Sequence, residues 1–421
     1  MSKTLSEKRF INHEFKEAAA GLRRMAKNGN PRGIYCLGEM LVHEFMFTEN
    51  VKQREEGLRI LADGLIAGDP LCLIAYARYD VGLHGQELTS AKRAKLAAKA
   101  QEMVKDDNTL PSVIKMAEGG DVLAMMELGM AYGFGILVKP DRDMALSWLT
   151  KAADAGYWAA MLQAAGILMR QQDTEVRRKA FGYVEKAAKM GDNLALVRLG
   201  DCYHYGLGCE KSFEQARRCY DMACRSEDSI LAVYSMSRLY DDKQFPQASE
   251  IQTTIWTEKA AQLGSVDAMC VMGDRAYYGR GVPKDMKAAE NWYKQAVKTR
   301  NGRGYFAMGR FKIYTAKIKD GIKYMEKAAQ AGWPGGYYIL GLMKMQGIGM
   351  KVDRRRGRVL LEQAAAAGVV DARDVLKSKE KITLLEALRR ICFVFVTREV
   401  NLWKPKHNLF ITSSKKPCLP L

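Results

Sequence analysis

Cysteine and histidine are the residues of this chain with the most reactive side chains, so their spacing comes first. Cys202, Cys209, Cys219 and Cys224 lie in one stretch with His204 among them. A soft-metal site asks for thiolates or imidazoles at recurring short spacings such as C-x-x-C, and none of the four is so placed. They read as reduced, packed thiols. Nine cysteines in all, an odd number without pairs at a fixed interval, argue against a disulfide framework. The five histidines (His13, His43, His84, His204, His407) are scattered, with no H-x-x-x-H and no carboxylate at ligand spacing. They are expected in solvent or in loops, with His204 beside Cys202 and Cys209 the single faint metal candidate. No G-x-S-x-G and no Ser/His/Asp order stands out. The glycine turns Gly206-Leu-Gly208, Gly279-Arg-Gly281 and Gly347-Ile-Gly349 follow helical patterns rather than strands. They read as helix punctuation and not as a phosphate cradle. Cys418-Leu-Pro-Leu421, after Lys415-Lys416, imitates a prenylation box, but proline fits that box poorly and the cysteine reads as fortuitous. The expectation is no catalysis, no cofactor and no metal.

The elements that carry these residues recur. Residues 265–301 read as two helices around the Gly279–Pro283 turn, with Asp285 as the N-cap of the second. Similar units end at Gly156, Gly191, Asp228, Gly264, Asn301, Gly332 and Gly368, in steps of 31 to 37 residues. Small residues recur five apart in the first helix, as in Ala124/Gly129, Ala195/Gly200, Ala268/Gly273 and Gly336/Gly341. In the second helix a bulky residue stands four before an alanine: Trp148/Ala152, Tyr183/Ala187, Trp256/Ala260, Trp292/Ala296, Tyr324/Ala328. Aromatics so spaced are expected in the core between stacked helices, not in a ligand-stacking site. A period near 36 with two helices per unit predicts an all-α fold, an α-solenoid.

The pattern A-x-x-x-x-G-x-x-(Y)-x-x-G-x-G-V-x-x-D-x-x-x-A-x-x-W-(Y)-x-x-A-A-x-x-G resembles the Sel-one-like repeat, a relative of the tetratricopeptide repeat. The resemblance covers about residues 30–368 and is close in 121–156, 192–228, 265–301 and 333–368. It is looser in 69–120, 157–191 and 229–264, where polar stretches such as RQQDTEV and DDKQFPQ replace the turn, and 302–332 is short. It implies a right-handed α-solenoid of helix-turn-helix repeats of about 36 residues, about nine units in 30–368, with 69–120 irregular. Residues 1–29 would then be an N-terminal capping helix and 369–396 a C-terminal one. The basic remainder, 397–421, is expected to lack fixed structure. The resemblance implies adaptor work, with partners on the concave face that the first helices line. Cys-rich secreted members associated with β-lactam hydrolysis carry paired cysteines that are absent here.

Stepping three residues on from the first small position, and three again, marks a ladder along that face. It runs Glu127, Met130, Gln163, Arg198, Asp201, Ser235, Arg238, Val271, Asp274, Arg310, Ile339 and Leu342. Mixed in charge toward the middle and apolar at the end, it suits a peptide or helix lying in a groove. The net charge of +18 is concentrated at the ends: residues 1–30 and 369–421 together carry +10 of it. The expected partner is therefore another protein, of acidic character if charge guides it. The alternative is a basic-tail-driven binder of nucleic acid or an acidic membrane surface. The N-terminal segment lacks a signal-peptide pattern and Ile382–Val396 is too short and too charged to span a bilayer, so the expected location is cytoplasmic.

Overall fold

The computed structural model describes residues 4–48, 51–79, 90–225 and 229–377, with side chains described except at 44–48, 51 and 90–94. Within them lie 22 α-helices and no strand. Among the described residues no helix is long and apolar enough to cross a membrane. Short oxygen-bearing side chains start most of the repeat helices. Asp121, Asp141, Asp173, Asp192, Ser212, Ser249, Ser265, Asp285, Asn301 and Asp353 each accept a bond from a backbone N–H of the first turn. Those N–H groups have no partner inside the helix, which is why the positions favour Asp and Ser.

The described residues divide into two compact units, up to Ser235 and from Met236 onward. The first holds α1 (Leu5–Ile11), α2 (Phe15–Lys27), α3 (Pro31–Thr48), α4 (Val51–Ile66), α5 (Pro70–Tyr79), α6 (Ser90–Lys105), α7 (Thr109–Glu118), α8 (Val122–Phe134), α9 (Arg142–Asp154), α10 (Trp158–Leu168), α11 (Thr174–Lys189), α12 (Asn193–Tyr205) and α13 (Phe213–Cys224). The division falls within α14 (Ile230–Asp241). The second unit continues through α15 (Glu250–Gln262), α16 (Val266–Tyr278), α17 (Met286–Lys298), α18 (Gly302–Tyr314), α19 (Ile318–Gln330), α20 (Pro334–Gln346), α21 (Arg354–Ala366) and α22 (Val370–Lys377).

Two segments differ from the expectation. The opening stretch is two helices, because the chain reverses at Asn12 and at His13, whose φ is 65°. The irregular 69–120 contains three helices, and the added segment around Pro111 is α7, with the proline in its first turn where the missing N–H costs nothing. Of the expected C-terminal capping helix only α22 falls among the described residues; 378–396 and the tail lie outside them.

The small residues of the first helices serve the crossing within each pair. Gly309 and Gly321 face each other, as do Gly341 and Gly357, so near that a Cβ on either would lie about 3 Å from the other's carbonyl oxygen. At Gly200 and Gly273 a Cβ would strike the ring of Tyr220 or Tyr293. In the intervening repeat Ser237 stands in the glycine's place and Thr257 in the tyrosine's, and their hydroxyls bond at 2.6 Å. Volume is exchanged between the two positions and the packing is kept.

That geometry corrects the aromatic assignment. Trp148 and Tyr183 are buried, but Trp256, Trp292 and Tyr324 are only half-buried, and the residue after each (Thr257, Tyr293, Met325) occupies the core. Adjacent helical residues point about 100° apart, so a small rotation of the outer helix decides which is covered. Lysines lie over the rings, Lys151 3.9 Å from the centroid of the buried Trp148 and Lys259 5.4 Å from that of the half-buried Trp256.

The glycine turn does more than stop a helix. Gly279 is the left-handed C-cap of α16. Gly281, also at positive φ, presses against Thr254 and the Glu250 carbonyl of the preceding outer helix. Gly208 likewise meets the Arg177 carbonyl, and Gly349 meets Ile318. The second glycine thus joins one repeat to the one before it.

Candidate functional site

The predicted ladder falls into two classes by burial. Glu127, Met130, Arg198, Asp201, Ser235, Arg310, Ile339 and Leu342 are buried, whereas Gln163, Arg238, Val271 and Asp274 keep partial access to solvent.

In the first unit the inner side chains engage one another. Arg78 on α5 lies between Glu39 on α3 and Glu127 on α8, forming an ion pair with each. Tyr35 donates to Glu127 at 2.7 Å and Tyr79 to Glu39 at 3.0 Å. One guanidinium cannot neutralise two buried carboxylates. Burial therefore pushes the Glu39 carboxyl up to about 7, against the pull of Arg78, and raises Glu127 as well. A second cluster joins His13, between α1 and α2, with His43 on α3 and Asp192, the N-cap of α12. Both Nε2 atoms stand 2.8 Å from Asp192 Oδ2. Among the described residues this is the one group of three or more His, Cys, Asp or Glu side chains that could hold a metal ion. The expected candidate is not assembled: His204 is buried and stacked on Tyr205 at 4.2 Å, apart from any such group. Burial raises the Cys202 thiol and pushes those of Cys209 and Cys219 up to about 11, so none is a ready thiolate.

Spacing in the sequence carried no sign of the histidine cluster, since its members stand 30 and 149 residues apart. Nor are the described histidines in solvent: His43 and His204 are buried and His13 is half-buried, while His84 and His407 lie outside the described residues.

In the second unit an arginine of one inner helix reaches back to an aspartate of the inner helix before it. Arg275 on α16 meets Asp241 of α14 at 3.2 Å, Arg303 on α18 meets Asp267 of α16 at 2.8 Å, and Arg310 pairs with Asp274. Tyr293 of the outer helix also donates to Asp274, as Tyr220 does to Asp201 in the first unit. The three arginines are buried beneath aspartates that retain access. Burial opposes the charge of Arg275 and lowers its pKa, with Asp241 and Glu250 acting the other way. The ladder positions continue one turn along each helix, from Val271 and Asp274 to Tyr278 and from Arg310 to Tyr314, where the side chains emerge. Tyr277 lies 4.8 Å from Tyr278 and 5.7 Å from Tyr314, ring centre to ring centre. The result is an aromatic and acidic strip on rigid helices.

The Sel1 repeat is matched at residues 122–157, 158–192, 193–228, 266–298, 315–333 and 334–369. The chain is 24% identical to chitin synthase regulatory factor 3 of Schizosaccharomyces pombe, over 61% of this chain and 29% of that protein. It is 24% identical to the ERAD-associated E3 ubiquitin-protein ligase component HRD3B of Arabidopsis thaliana, over 59% and 37%. Over 21% of the chain it is 35% identical to DAP3-binding cell death enhancer 1 of Mus musculus, spanning 17% of that protein. The matches thus span little more than a third of these relatives' length at most. Among solved structures, a Sel1 repeat protein from Oxalobacter formigenes has 24% identity and a TM-score of 0.39, covering 90% of this chain and 96% of that one. The antigen c5321 of uropathogenic Escherichia coli, which displays an SLR fold, has 21% identity and a TM-score of 0.40, covering 87% and 76%. The chain thus carries six Sel1 repeats, and its helix pairs recur at the same period.

Proposed function

We propose that the protein is a non-catalytic adaptor that holds a partner protein along the inner helices of its second unit. The observation that carries this reading is the strip formed by Val271, Asp274, Tyr278 and Tyr314, accessible above and held from below by the buried arginine–aspartate pairs. Tyrosine and arginine on a pre-ordered scaffold are the residues that anchor interfaces at low entropic cost. The names of the relatives, a regulatory factor, a ligase component and a binding protein, accord with such work. The seven described cysteines are free thiols, which suits a reducing compartment, and we place the protein in the cytoplasm.

Arg310 is unsuited to test the strip, because reversing its charge would leave Asp274 against a buried like charge. Val271→Glu combined with Tyr278→Ala avoids that. The partner recovered by the intact protein, identified by mass spectrometry and purified, should bind this variant at least tenfold more weakly with the helical circular dichroism unchanged. Lys294→Glu, on the outer helix α17, should bind as the wild type does. Undiminished binding by the strip variant, or loss of binding only when 397–421 is removed, would overturn the assignment and favour the basic tail.

A further inference from the structure

We infer that His13, His43 and Asp192 form a binding site for one divalent transition cation, Zn²⁺ by donor set, that staples the N-terminal helices to the first unit. Two imidazoles and a carboxylate are the borderline donors that zinc takes, and three protein ligands leave a fourth position for water. The ligand atoms lie within 4.8 Å of one another. Zinc holds nitrogen and oxygen at about 2.0–2.2 Å, which in a tetrahedron separates the donor atoms by roughly 3.3 Å. Each nitrogen now stands 2.8 Å from the carboxylate oxygen, so the cluster has to open by about half an ångström to admit an ion.

Each ligand is held from outside the cluster. Asp192 is fully buried, and its Oδ1 accepts from the Ala195 backbone N–H as the cap of α12, leaving Oδ2 to the histidines. His43 packs on Trp158 with ring centres 4.2 Å apart, and His13 on Phe15 at the same distance. Trp158 in turn donates from its indole nitrogen to the Phe10 carbonyl at 3.1 Å. These rings limit the access of bulk water to the ligand atoms, as the hydrophobic shell of a metal site does. The second, independent observation concerns His13. Its Nε2 is buried and 2.8 Å from Oδ2, but that contact is not an ordinary aligned hydrogen bond. His43 Nε2, by contrast, makes an ordinary hydrogen bond to Asp192 Oδ2 at 2.8 Å. A buried nitrogen held beside a carboxylate without a well-aligned bond is what a cation would satisfy. Arg198, farther along α12, is the neighbouring positive charge, and it acts on Asp201 as well as on Asp192.

The test uses full-length protein stripped with a chelator and titrated with ZnCl₂ against a chromogenic competitor, with Co²⁺ absorption as the coordination readout. One equivalent should bind tightly and give a nitrogen- and oxygen-ligated Co²⁺ spectrum without the thiolate charge-transfer band. His43→Ala should weaken binding at least a hundredfold. His13→Asn, whose side chain tolerates the left-handed turn, should weaken it at least tenfold without altering helicity. Serine at Cys202, Cys209 and Cys219 should leave binding unchanged. Zinc should also slow proteolysis between α1 and α2. Absence of a saturable equivalent, a thiolate signature, or binding retained in both histidine variants overturns the inference. In that case His13, His43 and Asp192 are a metal-free clasp.

Discussion

Glu39 is a residue whose protonation the fold alters in the physiological range. It shares Arg78 with Glu127 inside the first unit, and the pair carries one negative charge too many. Its carboxyl ordinarily titrates at 4.5 and in the folded chain at about 7. The folded state therefore binds the proton more firmly than the unfolded one. That stabilisation is fully present below 4.5 and is lost as the pH rises through about 7. Wild-type stability, measured by denaturant midpoint, should fall between those limits. Glu39→Gln, a neutral isostere that still accepts from Arg78, should flatten the profile and be at least as stable as the wild type above pH 7. A profile unchanged by the substitution would show that another group titrates. None of this could be read locally, since Glu39, Arg78 and Glu127 lie 39 and 49 residues apart.

At the level of the helix pair, stability rests on complementary volumes rather than on the identity of one residue. Gly273 makes room for Tyr293, whose hydroxyl donates to Asp274; in the preceding repeat Ser237 and Thr257 fill the same space with a hydrogen bond of their own. Gly273→Ser alone should destabilise by about 1–3 kcal/mol through overpacking. Tyr293→Thr alone should cost about 3 kcal/mol, from a cavity and an Asp274 oxygen deprived of one donor. Together they recreate the serine–threonine pair, so the double variant should lose about 1 kcal/mol or more less than the sum. Strict additivity in thermal or chemical denaturation would show that the two positions do not share the space. The small-residue spacing was legible beforehand, because helix crossings demand small side chains at set intervals. The bulky residue that fills the core there is Tyr293 and not, as the spacing predicts, Trp292, because the phase of the outer helix depends on the packing of its neighbours.

At the scale of the whole chain, repeat proteins gain stability mainly from neighbour on neighbour, yet in the first unit contacts leap 148 residues, from Trp158 to Phe10. The helices α1 and α2 bury Phe10, Ile11, Ala18 and Leu22. Deleting residues 2–27 should therefore cost the first unit several kcal/mol, at about 1.5–3 kcal/mol for each large side chain re-exposed. Hydrogen exchange should rise in α3, α10 and α12 and stay unchanged in α17 to α21; a uniform rise would mean that the two units unfold together. By itself the sequence determined the all-helical class, the period, the glycine turns and the capped start at Asp285. Each of these follows from steric and hydrogen-bonding rules acting within a few residues and repeated until chance was excluded. Only the tertiary structure decided which ladder residues are covered, that arginines stitch the inner helices of the second unit to aspartates, and that His13, His43 and Asp192 meet. Those outcomes depend on the rotation and curvature accumulated over several repeats, which no short stretch of residues encodes.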